Sequence, residues 1–204
     1  MKILLSLILG VSVLQAQVKQ VIIGTQVWMA KNLNVATFCN GDPIPQAKTA
    51  EEWINAGVNG RPAWCYYNND PANGTNYGKL YNWYAVNDPR GLAPKGWHIP
   101  TRDEWTVLTD FLGGTEIAGT KMKSKTGWKN SSNGTNSSGF NGLPGGDRSH
   151  SGSFYLVGSY GYWWSSTEAS TSSAWSHALS YDSDHGSSYY DSKGYGFYVR
   201  CLRD

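Results

Sequence analysis

Apolar and polar positions change period several times along the chain. Over 21–29, VIIGTQVWM, β-branched and aromatic residues flank Gly24-Thr25, which predicts a short hairpin closed by a tight Gly turn. Thr49 and Glu52 have the spacing of a capping box, in which each side chain bonds the other residue's amide. The short helix it opens carries Trp53 and Ile54 and ends near Gly57. Residues 66–76, YYNNDPANGTN, read as turns throughout. Leu80, Tyr81, Tyr84 and Ala85 recur at one-and-four spacing and predict a helix. The strongest local signal is a second capping box, Thr101 with Glu104. Behind it Trp105, Leu108, Phe111 and Leu112 follow a 3.6-residue period up to Gly113-Gly114.

Beyond Gly114 the pattern changes. Residues 124–153 are rich in Ser, Gly and Asn, yet Trp128, Phe140 and Leu143 recur among them. That favours a long ordered loop with a specific turn at 143–146, LPGG. Residues 161–166, GYWWSS, read as a strand. Over 174–181, Trp175, His177, Leu179 and Tyr181 alternate with Ala174, Ser176, Ala178 and Ser180, a strand with one face of small residues. Residues 197–202, FYVRCL, predict a closing strand. A hairpin, two or three short helices and then loop-rich strands give an α+β fold with short antiparallel sheets and long ordered loops.

Composition narrows the classes. The 204 residues include 24 Gly, 10 Trp and 13 Tyr, and 16% are charged. So much aromatic surface is unlike a disordered chain, and scarce charge with abundant Gly is unlike a coiled coil. A net charge of +2 supplies no field for nucleic acid. Lys2 and the apolar run 3–14 have the form of a signal peptide, too short to span a bilayer. Cleavage after Ala16 leaves 17–204 as one exported domain, expected outside the cell or at its surface and as a monomer. Export permits disulfides. Cys39, Cys65 and Cys201 are odd in number, so one pair with a leftover thiol and three buried free thiols both remain open.

Candidate chemistry is sparse. Asn68, Asn69, Asp70, Asn87, Asp88, Asp182 and Asp184 offer hard oxygens that leave calcium open, although none has EF-hand spacing. No other cofactor and no zinc site is expected, since there is no CxxC and no His cluster. There is no Gly-x-Ser-x-Gly elbow and no phosphate loop. Glu168 and Asp147 are carboxylates that could serve glycoside cleavage, but nothing in the sequence singles them out. His98, just ahead of the Thr101 cap, reads as a packing and hydrogen-bonding residue. Arg200 and Glu104 are a candidate structural pair, and Trp97, Trp105, Trp163 and Trp164 read as core. The informative segment is 180–192, SYDSDHGSSYYDS, composed only of Ser, Tyr, Asp, His and Gly. Tyr gives contact area at low entropy cost and Ser and Gly adapt, as in antibody loops; exposed rings also pack on sugars. The contacts expected from this segment and the strand before it are Trp175, His177, Tyr181, Asp182, Asp184, His185, Tyr189 and Tyr190. The ligand is expected to be a glycan or a protein.

Six blocks carry a family resemblance: GTQVWMAKNL (24–33), YGKLYNWYA (77–85), GWHIPTRDEW (96–105), GFNGLPGG (139–146), GYWWSSTE (161–168) and GFYVRCLRD (196–204). In this order they resemble the Fibrobacter succinogenes major paralogous domain, a family of exported bacterial proteins. The resemblance implies a C-type-lectin-like fold related to formylglycine-generating enzymes. Those enzymes use two cysteines near the C-terminus, and here Cys201 stands alone in the last hundred residues. The calcium-dependent sugar motif of C-type lectins is also missing. Related folds carry the variable proteins of diversity-generating retroelements, whose randomised positions correspond to 174–190 here. The expectation is therefore a non-catalytic binding module, with an extracellular enzyme or a structural subunit of a surface assembly as alternatives.

Overall fold

A computed structural model describes residues 18–204; the expected signal peptide at 1–16 lies outside the described residues. The architecture is α+β, and among the described residues the α-helices number five. They are α1 (Ala50–Val58), α2 (Pro71–Tyr77), α3 (Trp83–Val86), α4 (Arg102–Phe111) and α5 (Thr115–Met122). The strands are β1 (Gln20–Ile23), β2 (Gln26–Met29), β3 (Trp64–Cys65), β4 (Leu80–Tyr81), β5 (Trp97–His98), β6 (Gly145–Arg148), β7 (Phe154–Val157), β8 (Tyr160–Glu168), β9 (Ser173–Ser180), β10 (Ser187–Ser192) and β11 (Leu202–Arg203). They form a four-stranded sheet β1-β2-β11-β5, a five-stranded sheet β10-β9-β8-β6-β7 and the pair β3-β4. Pairing is antiparallel except where β6 meets β8 at Gly146 and Gly161.

The hairpin forms as its sequence dictates, with Ile23 opposite Gln26 and Gly24 at φ +62°. Both capping boxes are closed: Thr49 and Thr101 accept from Glu52 and Glu104 amides, and each glutamate reaches back. Behind the second box Trp105, Leu108 and Leu112 are buried, but Phe111 is 63% exposed, one step off the apolar stripe.

Other expectations needed correction. Leu80 and Tyr81 are strand β4, and only Trp83–Val86 behind them is helical, started by the Asn82 side chain. The 66–76 stretch is helical in part, because Asp70 caps α2 and Pro71 stands at its first position. Helix α5 had no sequence signal: its N-cap is Gly114, with no side-chain bond. The closing strand shrinks to β11. Residues 197–201 instead run extended through the centre, accepting from Tyr81, Trp164, Leu33 and Met29 amides through the carbonyls of Phe197, Tyr198, Val199 and Cys201.

Eight of the ten tryptophans are buried, leaving Trp97 and Trp175 partly exposed. All three cysteines are free thiols, Cys39 exposed and Cys65 and Cys201 buried. Burial pushes the Cys65 thiol up to about 11 and the Cys201 thiol up to about 12, so neither is a thiolate at neutral pH. Arg200 does not pair with Glu104. It donates to Asn32 Oδ1 and to the Phe140 and Met29 carbonyls, while Glu104 holds His98 at 2.9 Å. The other imidazole nitrogen of His98 meets Asp204 at 2.8 Å, the hydrogen-bonding role its position predicts.

Candidate functional site: a tyrosine-lined cleft on the five-stranded sheet

Strand alternation sorts the five-stranded sheet into two chemically different faces. One face carries Trp163, His177 and Leu179 and packs against Trp105 and Phe140. On the other, register brings Tyr160 opposite Ser180, Tyr162 opposite Ala178, and Tyr189 and Asp191 opposite Ser176 and Ala174. Asp147 on β6 stands opposite Tyr155 on β7 and next to Tyr162. The small residues of β9 are therefore a floor, and the tyrosines of β8 and β10 are its walls.

Two depressions open on this face. The larger, about 700 Å³, is lined by Tyr160, Tyr162, Trp175, Ser188, Tyr189, Tyr190 and Asp191. The smaller, about 350 Å³, has Asp147, Ser149, Tyr155, Leu156, Tyr195 and Phe197 around it and shares Tyr162 and Asp191 with the first. The shared residues make one cleft of the two, in the size range of small-ligand sites. Its wall is a ladder of rings. Tyr160 stacks on Tyr162 at 5.4 Å and 6°, and Tyr162 on Phe197 at 4.8 Å and 15°.

The β6 turn sets the acidic end. Gly146 adopts φ +68°, and a Cβ there would lie 2.3 Å from the Tyr155 carbonyl oxygen; at Gly145 it would meet the Tyr198 ring at 2.5 Å. Only glycine lets β6 sit between these neighbours. Asp147 follows them, 4% exposed, and its Oδ1 has no hydrogen-bond partner among the described residues. Burial, and then the nearby Asp191, push the Asp147 carboxyl up to about 7. Burial also raises Asp191, opposed by the Ser176 hydroxyl that donates to its Oδ2 at 2.7 Å. The phenols of Tyr162 and Tyr195 are raised by burial first and then by these carboxylates.

The residues expected from the sequence separate. Tyr189 lines the cleft, whereas Trp175 and Tyr190 alternate to the other face and only border it, Trp175 edge-on to Tyr190 at 5.7 Å and covered by the Arg102 guanidinium at 3.9 Å. Tyr181, Asp182 and Asp184 line a different depression of about 320 Å³ beside Lys123, Ser132 and Asn133. His185 pairs with Glu116 at 2.8 Å, outside both. His177 has to be withdrawn as a surface contact. It is fully buried, its ring stacked on Trp105 at 4.5 Å and 4°, because it alternates onto the core face with Trp163 and Leu179. Tyr155, Tyr160, Tyr162, Tyr195 and Asp191 were missed, and Asp147 was not singled out. The available signal was the small-residue face of β9, which needs larger neighbours on both sides.

The aspartates considered for calcium have other tasks, whereas the buried Asn69 Oδ1 has no hydrogen-bond partner among the described residues. Asp70 caps α2, Asp88 binds Arg90 at 2.8 Å, and the buried Lys123 ammonium lies beside Asp182 and Asp184. Among the described residues no three His, Cys, Asp or Glu side chains converge as a metal set. Glu168 is bound by Lys193 and is not among the residues lining the depression that holds Asp147. No helix among the described residues is long and apolar enough to cross a membrane.

Residues 21–203 match the Fibrobacter succinogenes major domain. No curated protein and no solved structure matches the chain.

Proposed function

The chain belongs to the Fibrobacter succinogenes major domain family, a name that carries no activity, and we propose from its cleft that it is a non-catalytic ligand-binding module for a glycan. The observation that carries this is a cleft with Tyr160 and Tyr162 along one wall, Tyr189, 53% exposed, along the other, and the Asp191 carboxylate beside them. Ring faces pack against the CH faces of sugars, and carboxylate and hydroxyl groups between them accept and donate hydrogen bonds. A C-type-lectin-like scaffold displayed outside the cell as a monomer completes the proposal. Its support is the apolar run 3–14 and the ordered sequence blocks.

The test is a glycan array and a cell-wall polysaccharide pull-down with residues 17–204. Tyr189→Ala with Tyr190→Ala removes exposed rings and leaves the core intact, so binding should fall at least tenfold. Tyr181→Ala lies outside the cleft and should bind as wild type. Equal binding by the double variant and wild type rejects the cleft.

One observation favours a second reading, an extracellular glycoside hydrolase. Asp147 and Asp191 share one end of the cleft, and Asp147 titrates where a general acid would. New reducing ends released from a bound oligosaccharide, and lost in Asp147→Asn, would select it over simple binding.

A further inference from the structure

The acidic end of the cleft holds charge that no basic side chain answers. Neither lining contains a lysine or an arginine. Arg148, next in sequence to Asp147, is turned away: it donates to the carbonyls of Gly152, Ala47 and Thr49 at 3.0, 2.9 and 2.7 Å. Lys193, two residues beyond Asp191, is committed to Glu168 and to the Thr171 carbonyl. Asp147 stays 96% shielded with Oδ1 unpartnered, inside a depression it lines with Asp191, Tyr155, Tyr162 and Tyr195.

Such a carboxylate is costly to bury and gains most from a charged donor. The groups around it select which donor. Calcium wants six to eight oxygens, and this depression offers two carboxylates and Ser149 among aromatic rings. A neutral hydroxyl satisfies one oxygen and leaves the like charges facing each other. An ammonium group neutralises the pair, donates to both, and is attracted by the tyrosine faces.

We propose that the Asp147–Asp191 end is a subsite for the protonated amine of an amino sugar, so that the cleft takes glycans with a free amine in preference to N-acetylated or unsubstituted ones. This rests on the cleft being the ligand site.

The subsite is proton-linked. Facing Asp147 are Asp191 from β10, Tyr155 from β7, Tyr162 from β8 and Tyr195 ahead of the closing segment, with Tyr67 and Tyr198 behind. His150, whose ring is 5.3 Å from that of Tyr195, is the neighbouring imidazole. A cation binds the ionised form of Asp147, whose share falls as pH drops below about 7. Affinity for the amine should therefore weaken about tenfold between pH 7 and pH 5.5.

Calorimetric titration with three trisaccharides of one linkage tests this: glucosamine, N-acetylglucosamine and glucose. At pH 7 the glucosamine trimer should bind at least tenfold tighter than the other two, and at pH 5.5 this advantage should shrink to near unity. Asp147→Asn should bind all three alike, and His150→Gln should keep both the preference and its pH dependence. Asp191→Asn, at a half-buried position, makes the same test if Asp147→Asn fails to fold. Equal binding of all three trimers, weakened by the Tyr189 and Tyr190 substitutions, overturns the amine subsite and leaves the cleft standing. An amine preference that survives both carboxylate variants places the amine elsewhere and overturns the subsite. No binding of the glucosamine trimer overturns it too, and the array then judges the cleft separately.

Discussion

At the scale of single residues, His177 shows how a polar side chain can be spent on packing. Its ring lies flat on Trp105, and neither ring nitrogen has a hydrogen-bond partner among the described residues, nor has the Trp105 indole nitrogen. Burial lowers its pKa to about 3, so the folded protein holds it neutral. The unfolded chain takes up a proton near pH 6.5, where the folded one does not. Stability from this site is thus complete above pH 6.5 and is lost as pH falls toward 3, by up to about 1.4 kcal/mol per pH unit. His177→Leu forfeits a stack worth about 0.5–1.5 kcal/mol but does not titrate. Urea unfolding at pH 7 and pH 4.5 should show the wild type losing about 2–3 kcal/mol relative to the variant. Parallel pH dependence in the two proteins would mean that the imidazole gains a proton acceptor or water within the fold.

At the scale of elements, what was legible in the sequence was what neighbours in sequence decide. The hairpin, both capping boxes and the alternation of β9 each need only a few adjacent residues, and each formed. Helix α5 escaped because its reasons lie elsewhere in the chain. It docks on the 184–186 segment, where the Gly186 amide donates to the Thr115 carbonyl at 2.8 Å and the Thr120 hydroxyl to Asp184 at 2.5 Å. Gly119 sits at that contact. A Cβ there would lie 2.3 Å from the His185 carbonyl oxygen and 2.6 Å from that of Asp184. Helix propensity alone makes Gly→Ala favourable by about 1 kcal/mol, whereas forcing backbone apart costs about 1–3 kcal/mol. Gly119→Ala should therefore lower the melting temperature by several degrees. Gly57→Ala in α1 is the counterpart, since its Cβ would touch only the Gly194 Cα, at an ordinary 3.5 Å. There the propensity gain should survive and melting should rise or hold. Scanning calorimetry on the two variants checks the opposite signs, and a stabilised Gly119→Ala would show that the 184–186 segment yields.

At the scale of the whole molecule, the candidate site was half legible for a related reason. Tyr189 and Tyr190 stand in a segment whose composition draws notice, but the cleft also needs Asp147 and Tyr162, brought beside Asp191 only by sheet order β10-β9-β8-β6. Such juxtapositions depend on what fixes the sheets to each other, and Arg200 is central to that. Fully buried, its guanidinium donates twice to Asn32 Oδ1, at 2.9 and 2.7 Å, and to the carbonyls of Phe140 at 2.6 Å and Met29 at 3.3 Å. Asn32 in turn accepts from the Trp163 indole at 2.8 Å, so one side chain ties the hairpin sheet, the 124–144 loop and the cleft's own sheet. Burial brings the guanidinium down to about 9, still charged at neutral pH. Lysine keeps the charge but offers a compact head, unable to span Asn32 and two carbonyls. Arg200→Lys should cost about 2–4 kcal/mol through the acceptors it strands, a drop on the order of 5–15 °C in melting temperature for a chain this size. Affinity for the ligand proposed above, measured below the lowered transition, should stay within about twofold of wild type if the sheets re-form the same cleft. A melting temperature left unchanged would show that the three parts are held together by apolar packing alone.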